Sequence, residues 1–100
     1  MKVLISPGFG AGWSTWGCKE MATDKELIEL FEKGCTCEQM KRLLILKNFR
    51  DEYGRYPYLG GFGDLTVEEV PPGHLFKINE YDGAESIEIF DEDEWIRAED

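Results

Sequence analysis

Hydrophobic and polar positions change period along this chain, and each period predicts an element. Residues 2–6 (KVLIS) are a short run rich in β-branched side chains that Pro7 stops, which predicts a first strand. From residue 23 the period becomes helical. Thr23 followed three residues later by Glu26 reads as a capping box, Leu27, Ile28, Leu30 and Phe31 then share one side, and Gly34 ends the segment. Thr36 and Gln39 repeat the cap ahead of Met40, Leu43, Leu44 and Lys47, with Arg50 near the end. The pattern predicts a helix hairpin that turns at Gly34.

Alternation by two returns at Leu65–Val70 (LTVEEV), a strand closed by Pro71-Pro72-Gly73. The segment HLFKINEYDGAESIEIF then places Asp82-Gly83 between two alternating runs, the strongest short-range signal for a hairpin with a two-residue type I′ turn. Counting outward from that turn pairs Tyr81 with Ala84, Glu80 with Glu85, Ile78 with Ile87, Lys77 with Glu88 and Phe76 with Ile89. The apolar pairs coincide on one face, and Lys77 opposes Glu88 on the other. The misfit is Glu80 opposite Glu85, two like charges on the face that otherwise points inward. As a carboxylate pair they could share a proton or bind a cation; near a hairpin tip the expectation is that both reach solvent.

These elements predict an α+β fold: a small antiparallel sheet with a C-terminal β-hairpin, packed against a two-helix hairpin, with the first strand joining the sheet of the C-terminal hairpin. Residues 1–100 fit one domain, of which 91–100 (DEDEWIRAED) read as an acidic tail docked by Trp95 and otherwise frayed. A core this small is expected to be completed by homo-oligomerisation.

Two segments carry no regular period and are instead rich in glycine and large rings. PGFGAGWSTWG (7–17) follows the first strand, YPYLGGFG (56–63) precedes the second, and GFG occurs in both, at 8–10 and 61–63. Neither copy fits a phosphate-binding template. Starting the dinucleotide fingerprint at Gly8 puts its third glycine on Trp13, starting at Gly10 puts it on Thr15, and no Gly-Lys-Ser/Thr closes a P-loop. Bare loop amides can still form an anion nest, and rings can stack on a base. The candidate ligand site is therefore the amides of Gly8, Gly10 and Gly12 beside Phe9 with those of Gly60 and Gly61 beside Tyr58, the two loops facing each other or facing across a dimer. Trp13, Trp16 and Phe62 would stack on the base, and Arg50 or Arg55 would pair with phosphate. Against this stands the plainer expectation that Phe9, Trp13 and Trp16 anchor the core, with glycines permitting tight turns around them.

Composition narrows the function classes. At 42% hydrophobic and 13% aromatic the chain should fold, despite a net charge of -10. The charge is split: residues 1–50 hold eight Lys/Arg against six Asp/Glu, for +2, while residues 51–100 hold three against fifteen, for -12. Such a field disfavours DNA, RNA and anionic lipid, so the helix hairpin is not read as a DNA-binding helix-turn-helix. No segment has the length of a signal peptide's apolar core or a membrane span, which predicts a soluble, unexported protein. Cys18, Cys35 and Cys37 are odd in number, so reduced thiols are expected rather than a disulfide framework. Cys35-x-Cys37 with Cys18 and His74 departs from the usual zinc spacing, and no Ser-His-Asp or Cys-His arrangement is apparent. The expectation is a non-enzyme without metal or cofactor.

The stretches MKVLISPGFGAGWSTW, YLGGFGDL, VEEVPPG and FKINEYDGAESIE resemble a group of small bacteriophage and prophage proteins, over both ends of the chain and less through the helices. That resemblance implies a phage-encoded protein working in the host bacterial cytoplasm, and it brings no catalytic residues with it. By analogy with small phage proteins that lack catalytic motifs, the expected function is counter-defence: a sponge that binds and sequesters a small nucleotide-like immune signal. The alternative is an acidic inhibitor of a basic host protein, such as a CRISPR effector or another nucleic-acid-binding enzyme, acting by surface blocking or nucleic-acid mimicry.

Overall fold

The computed structural model describes residues 1–90; the acidic tail at 91–100 and its docking by Trp95 lie outside the described residues. Strand β1 (Lys2–Ile5) leads through the glycine-rich loop and a 3₁₀ turn (Lys19–Ala22) into helices α1 (Lys25–Glu32) and α2 (Cys37–Leu46). A second 3₁₀ turn (Phe62–Asp64) precedes β2 (Thr66–Glu69), and β3 (Leu75–Tyr81) and β4 (Ala84–Phe90) form the C-terminal hairpin. The fold is α+β. Its strands make two antiparallel two-stranded sheets, β1–β2 and β3–β4.

The caps explain where the helices begin. Thr36 accepts from the Gln39 amide while the Gln39 side chain accepts from the Thr36 amide, the reciprocal box expected from the sequence. Helix α1 differs by one residue: its cap is Asp24, whose carboxylate accepts from the Leu27 amide, not Thr23 with Glu26. Lys47 supplies the reason, because its ammonium lies 3.0 Å from Asp24 and 2.9 Å from Glu26, drawing both carboxylates toward the end of α2. That helix stops at Leu46, short of Arg50, as Asn48 takes a left-handed conformation (φ 56°).

Strand β1 does not join the sheet of the hairpin; it pairs with β2 in the register Lys2–Glu69 to Ile5–Thr66. Its sequence shows why. Val3, Leu4 and Ile5 are apolar in succession, so both faces of the strand need cover. Leu4 lies in the larger core with Trp13, Met21, Leu27, Ile28, Met40, Leu44 and Leu65, and Val67 packs beside it. On the opposite face Val3 and Ile5 join Ala22 and Val70, and this smaller core is closed by Phe76, Ile78 and Ile87 from the hairpin. The β1–β2 ribbon is thus a middle layer, with helices over one face and the hairpin over the other. Each fully buried aliphatic side chain in it contributes about 1.5–3 kcal/mol relative to an exposed one.

The hairpin has the register counted from Asp82-Gly83, including Glu80 opposite Glu85. Both turn residues have positive φ, 51° and 84°, as a type I′ turn requires. Gly83 has a second role, since a Cβ there would stand 2.9 Å from the backbone nitrogens of Gly10 and Ala11. Gly73 shares the left-handed conformation (φ 81°) but opens onto empty space. Gly73→Ala should therefore cost about 1 kcal/mol from backbone conformation alone, and Gly83→Ala at least twice that, in urea unfolding. Equal costs would show that the turn does not seat against the loop.

Candidate functional site

The glycine-rich loop is organised by a carboxylate that belongs to the hairpin. Glu85 is 2% exposed, and its two oxygens divide five donors between them. Oε1 accepts from the Ser6 amide at 3.0 Å and the Ser6 hydroxyl at 3.4 Å. Oε2 accepts from the Trp13 amide at 3.1 Å, the Thr15 amide at 2.9 Å and the Thr15 hydroxyl at 2.5 Å. Main-chain bonds stitch the same edges together: Gly10 donates to the Asp82 carbonyl at 2.6 Å, Gly12 to Gly83 at 2.8 Å, and Glu85 to Ser6 at 2.9 Å.

This corrects two expectations. Glu85 does not reach solvent, because it is the acceptor that buried loop amides require. The amides of Gly10 and Gly12 do not await a ligand either, since carbonyls at the hairpin tip accept from them. The loop is an anion nest, and a side chain of the same molecule fills it.

The rings divide between core and surface. Trp13 is completely buried, with its indole N–H donating to the Met21 carbonyl at 3.2 Å, so it stacks on no ligand. Phe62 is half-buried against the larger core. Trp16 stands 40% exposed and donates from Nε1 to Glu80 Oε1 at 2.8 Å, and the same oxygen accepts from the Gly83 amide at 2.9 Å. Those two bonds, the Gly83 amide first, hold the Glu80 carboxyl below the ordinary glutamate range. The glycines make room for the rings. A Cβ on Gly12 would collide with the Trp16 indole, and one on Gly60 with the Tyr58 phenol. One on Gly61 would stand 2.5 Å from the Ala11 carbonyl oxygen, so the two glycine-rich loops do face each other.

Of the residues singled out from sequence, the structure brings Trp16, Tyr58 and Arg55 together. Trp16 and Tyr58 have centroids 6.0 Å apart at a 43° tilt. With Thr15, Gly17, Asp51, Glu52, Tyr53 and Arg55 they line a cleft of about 380 Å³. Asp51 shapes its far wall: its carboxylate accepts from the amides of Tyr53 and Arg55, both at 2.9 Å, and lies 3.4 Å from the Arg55 guanidinium. The Arg55 amide, ahead of the Tyr53 amide and the guanidinium charge, holds the Asp51 carboxyl below its ordinary range. Arg55 also rests over the Tyr53 ring, 5.1 Å from its centroid.

The remaining candidates lie elsewhere. Arg50 stacks on Tyr56 at 3.8 Å and donates to Asn48, the Gly54 carbonyl and the Tyr56 hydroxyl, so its guanidinium is already engaged. Phe9 projects at the hairpin tip, and Gly8 lies against Asp64. Sequence reasoning did not single out Asp51, Tyr53 or Thr15 for the site. It noticed Glu85 only as a like-charge misfit on an inward face, which was the signal that could have identified it.

The three thiols are free. Cys18 donates to Glu20 at 2.6 Å, and partial burial followed by that contact pushes its thiol up. Among the described residues no group of His, Cys, Asp or Glu is placed to hold a metal ion, and no helix is long and apolar enough to cross a membrane. Comparison with protein-family models, curated proteins and solved structures finds no match for the chain.

Removing the Glu85 carboxylate leaves three buried or half-buried amides and two hydroxyls without their acceptor. Glu85→Ala should lower stability by about 3–5 kcal/mol in chemical denaturation, whereas Glu80→Ala, at an exposed position, should cost far less. Similar losses for the two variants would contradict the assignment.

Proposed function

We propose that this protein is a phage-encoded, non-catalytic binder that sequesters a small nucleotide-like signal of a bacterial defence system. The ligand site is the cleft between Trp16, Tyr58 and Arg55. The observation that carries this reading is an aromatic wall beside a solvent-exposed guanidinium, in a cleft of about 380 Å³. Volumes of about 300–1,000 Å³ suit small ligands, and base–aromatic stacking contributes about 1–3 kcal/mol per base without demanding one base identity. The phage setting and the bacterial cytoplasm rest on the sequence resemblance.

The electrostatics limit the ligand. Asp51 and Glu52 line the cleft with Arg55, so a phosphate must approach from the guanidinium side and replace Asp51 as its partner. A ligand with few phosphates satisfies this better than a polyphosphate. Cyclic nucleotides and ADP-ribose derivatives have that character.

Isothermal titration of the full chain against a panel of these compounds tests the reading. At least one should bind, Arg55→Gln should weaken it about tenfold or more, and Tyr58→Leu should weaken it as well. Absence of heat with every compound, or unchanged affinity in Arg55→Gln, would overturn it.

A further inference from the structure

We propose that the tip of the hairpin is a docking surface for a basic protein segment, which inserts an arginine against Phe9 and Tyr81. This surface is separate from the Trp16 cleft and does not rest on the ligand proposed there. Phe9 and Tyr81 are 74% and 75% exposed, yet they hold each other edge to face with centroids 6.1 Å apart. An exposed pair of this kind is unusual in a small chain that needs its rings for burial.

The pair is also preorganised. Phe9 is followed by Gly10 (φ 71°), whose amide donates to the Asp82 carbonyl, and Tyr81 opens the Asp82-Gly83 turn. On either side of the Phe9 segment, the amides of Ser6 and Trp13 are tied to the buried Glu85 carboxylate. A partner binding here meets rings whose backbone is already ordered, which removes part of the entropic cost of association.

Charge selects the partner. Asp82 adjoins Tyr81, and Asp64 lies against Gly8, with a distance of 2.8 Å from its Oδ2 to a Cβ built on that glycine. Both carboxylate residues are exposed. The chain carries -10 overall and most of the acid is in its second half, so a cationic segment is drawn to this surface more strongly than a second, equally acidic copy. Arginine suits the surface better than lysine, since its planar guanidinium stacks on an aromatic face and still pairs with a carboxylate.

The probe is a short peptide of alternating Arg and Ser, compared with its Lys counterpart by titration and amide chemical-shift mapping on the full chain. The Arg peptide should bind more tightly, shift the amides of residues 9, 10, 81 and 82, and weaken as salt rises. The exposed double variant Phe9→Ala/Tyr81→Ala, with an unchanged melting temperature, should lose about five- to thirtyfold in affinity. Unchanged affinity in that variant would place the peptide on other acidic residues and overturn the proposal. So would a concentration-dependent dimer of the protein that the double variant abolishes, because a second copy would then be the occupant.

Discussion

Glu85 and the loop that wraps it are the contact on which the other features depend. A loop with glycines at 8, 10, 12 and 17 has little intrinsic order, and Trp13 and Thr15 lie outside any strand or helix that would supply acceptors for their amides. Buried without an acceptor, each would cost about 1–3 kcal/mol. One carboxylate satisfies them together with both hydroxyls, and in doing so fixes where the hairpin sits. The seating of Gly83 on Gly10 and Ala11, the burial of Trp13 and the placement of Trp16 beside Tyr58 all follow from that register.

The same contact divides the molecule into a structural interior and two exposed features. Beneath the loop lie Trp13 and Met21 in the larger core. At its edges the loop turns out Trp16 toward the 51–58 turn and Phe9 toward the hairpin tip. A glycine-rich segment that looks suited to phosphate is thus a socket for an internal carboxylate, and the rings it turns to solvent are Trp16 and Phe9.

Much of the secondary structure was legible in the sequence because it rests on local rules. The Thr36–Gln39 cap, the β3–β4 register and the strand at Thr66–Glu69 need no information from distant residues. Apart from the early stop of α2 at the left-handed Asn48, the departures are tertiary. Asp24 replaces Thr23 as a cap because Lys47, remote in sequence, reaches it, and β1 pairs with β2 because three consecutive apolar residues must be covered on both faces. At the candidate site, Trp16, Tyr58 and Arg55 were anticipated, but Asp51 and Thr15 depend on loops brought together only by folding. Glu85 shows the limit most clearly: a lone acid on an apolar face signals a constraint, without saying which amides impose it.

Amide hydrogen exchange on the native protein measures this central contact directly. The amides of Ser6, Trp13 and Thr15 should exchange as slowly as those of β3 and β4, because loop and hairpin open as one unit around Glu85. Fast, surface-like exchange at Trp13 and Thr15 beside a protected hairpin would contradict it.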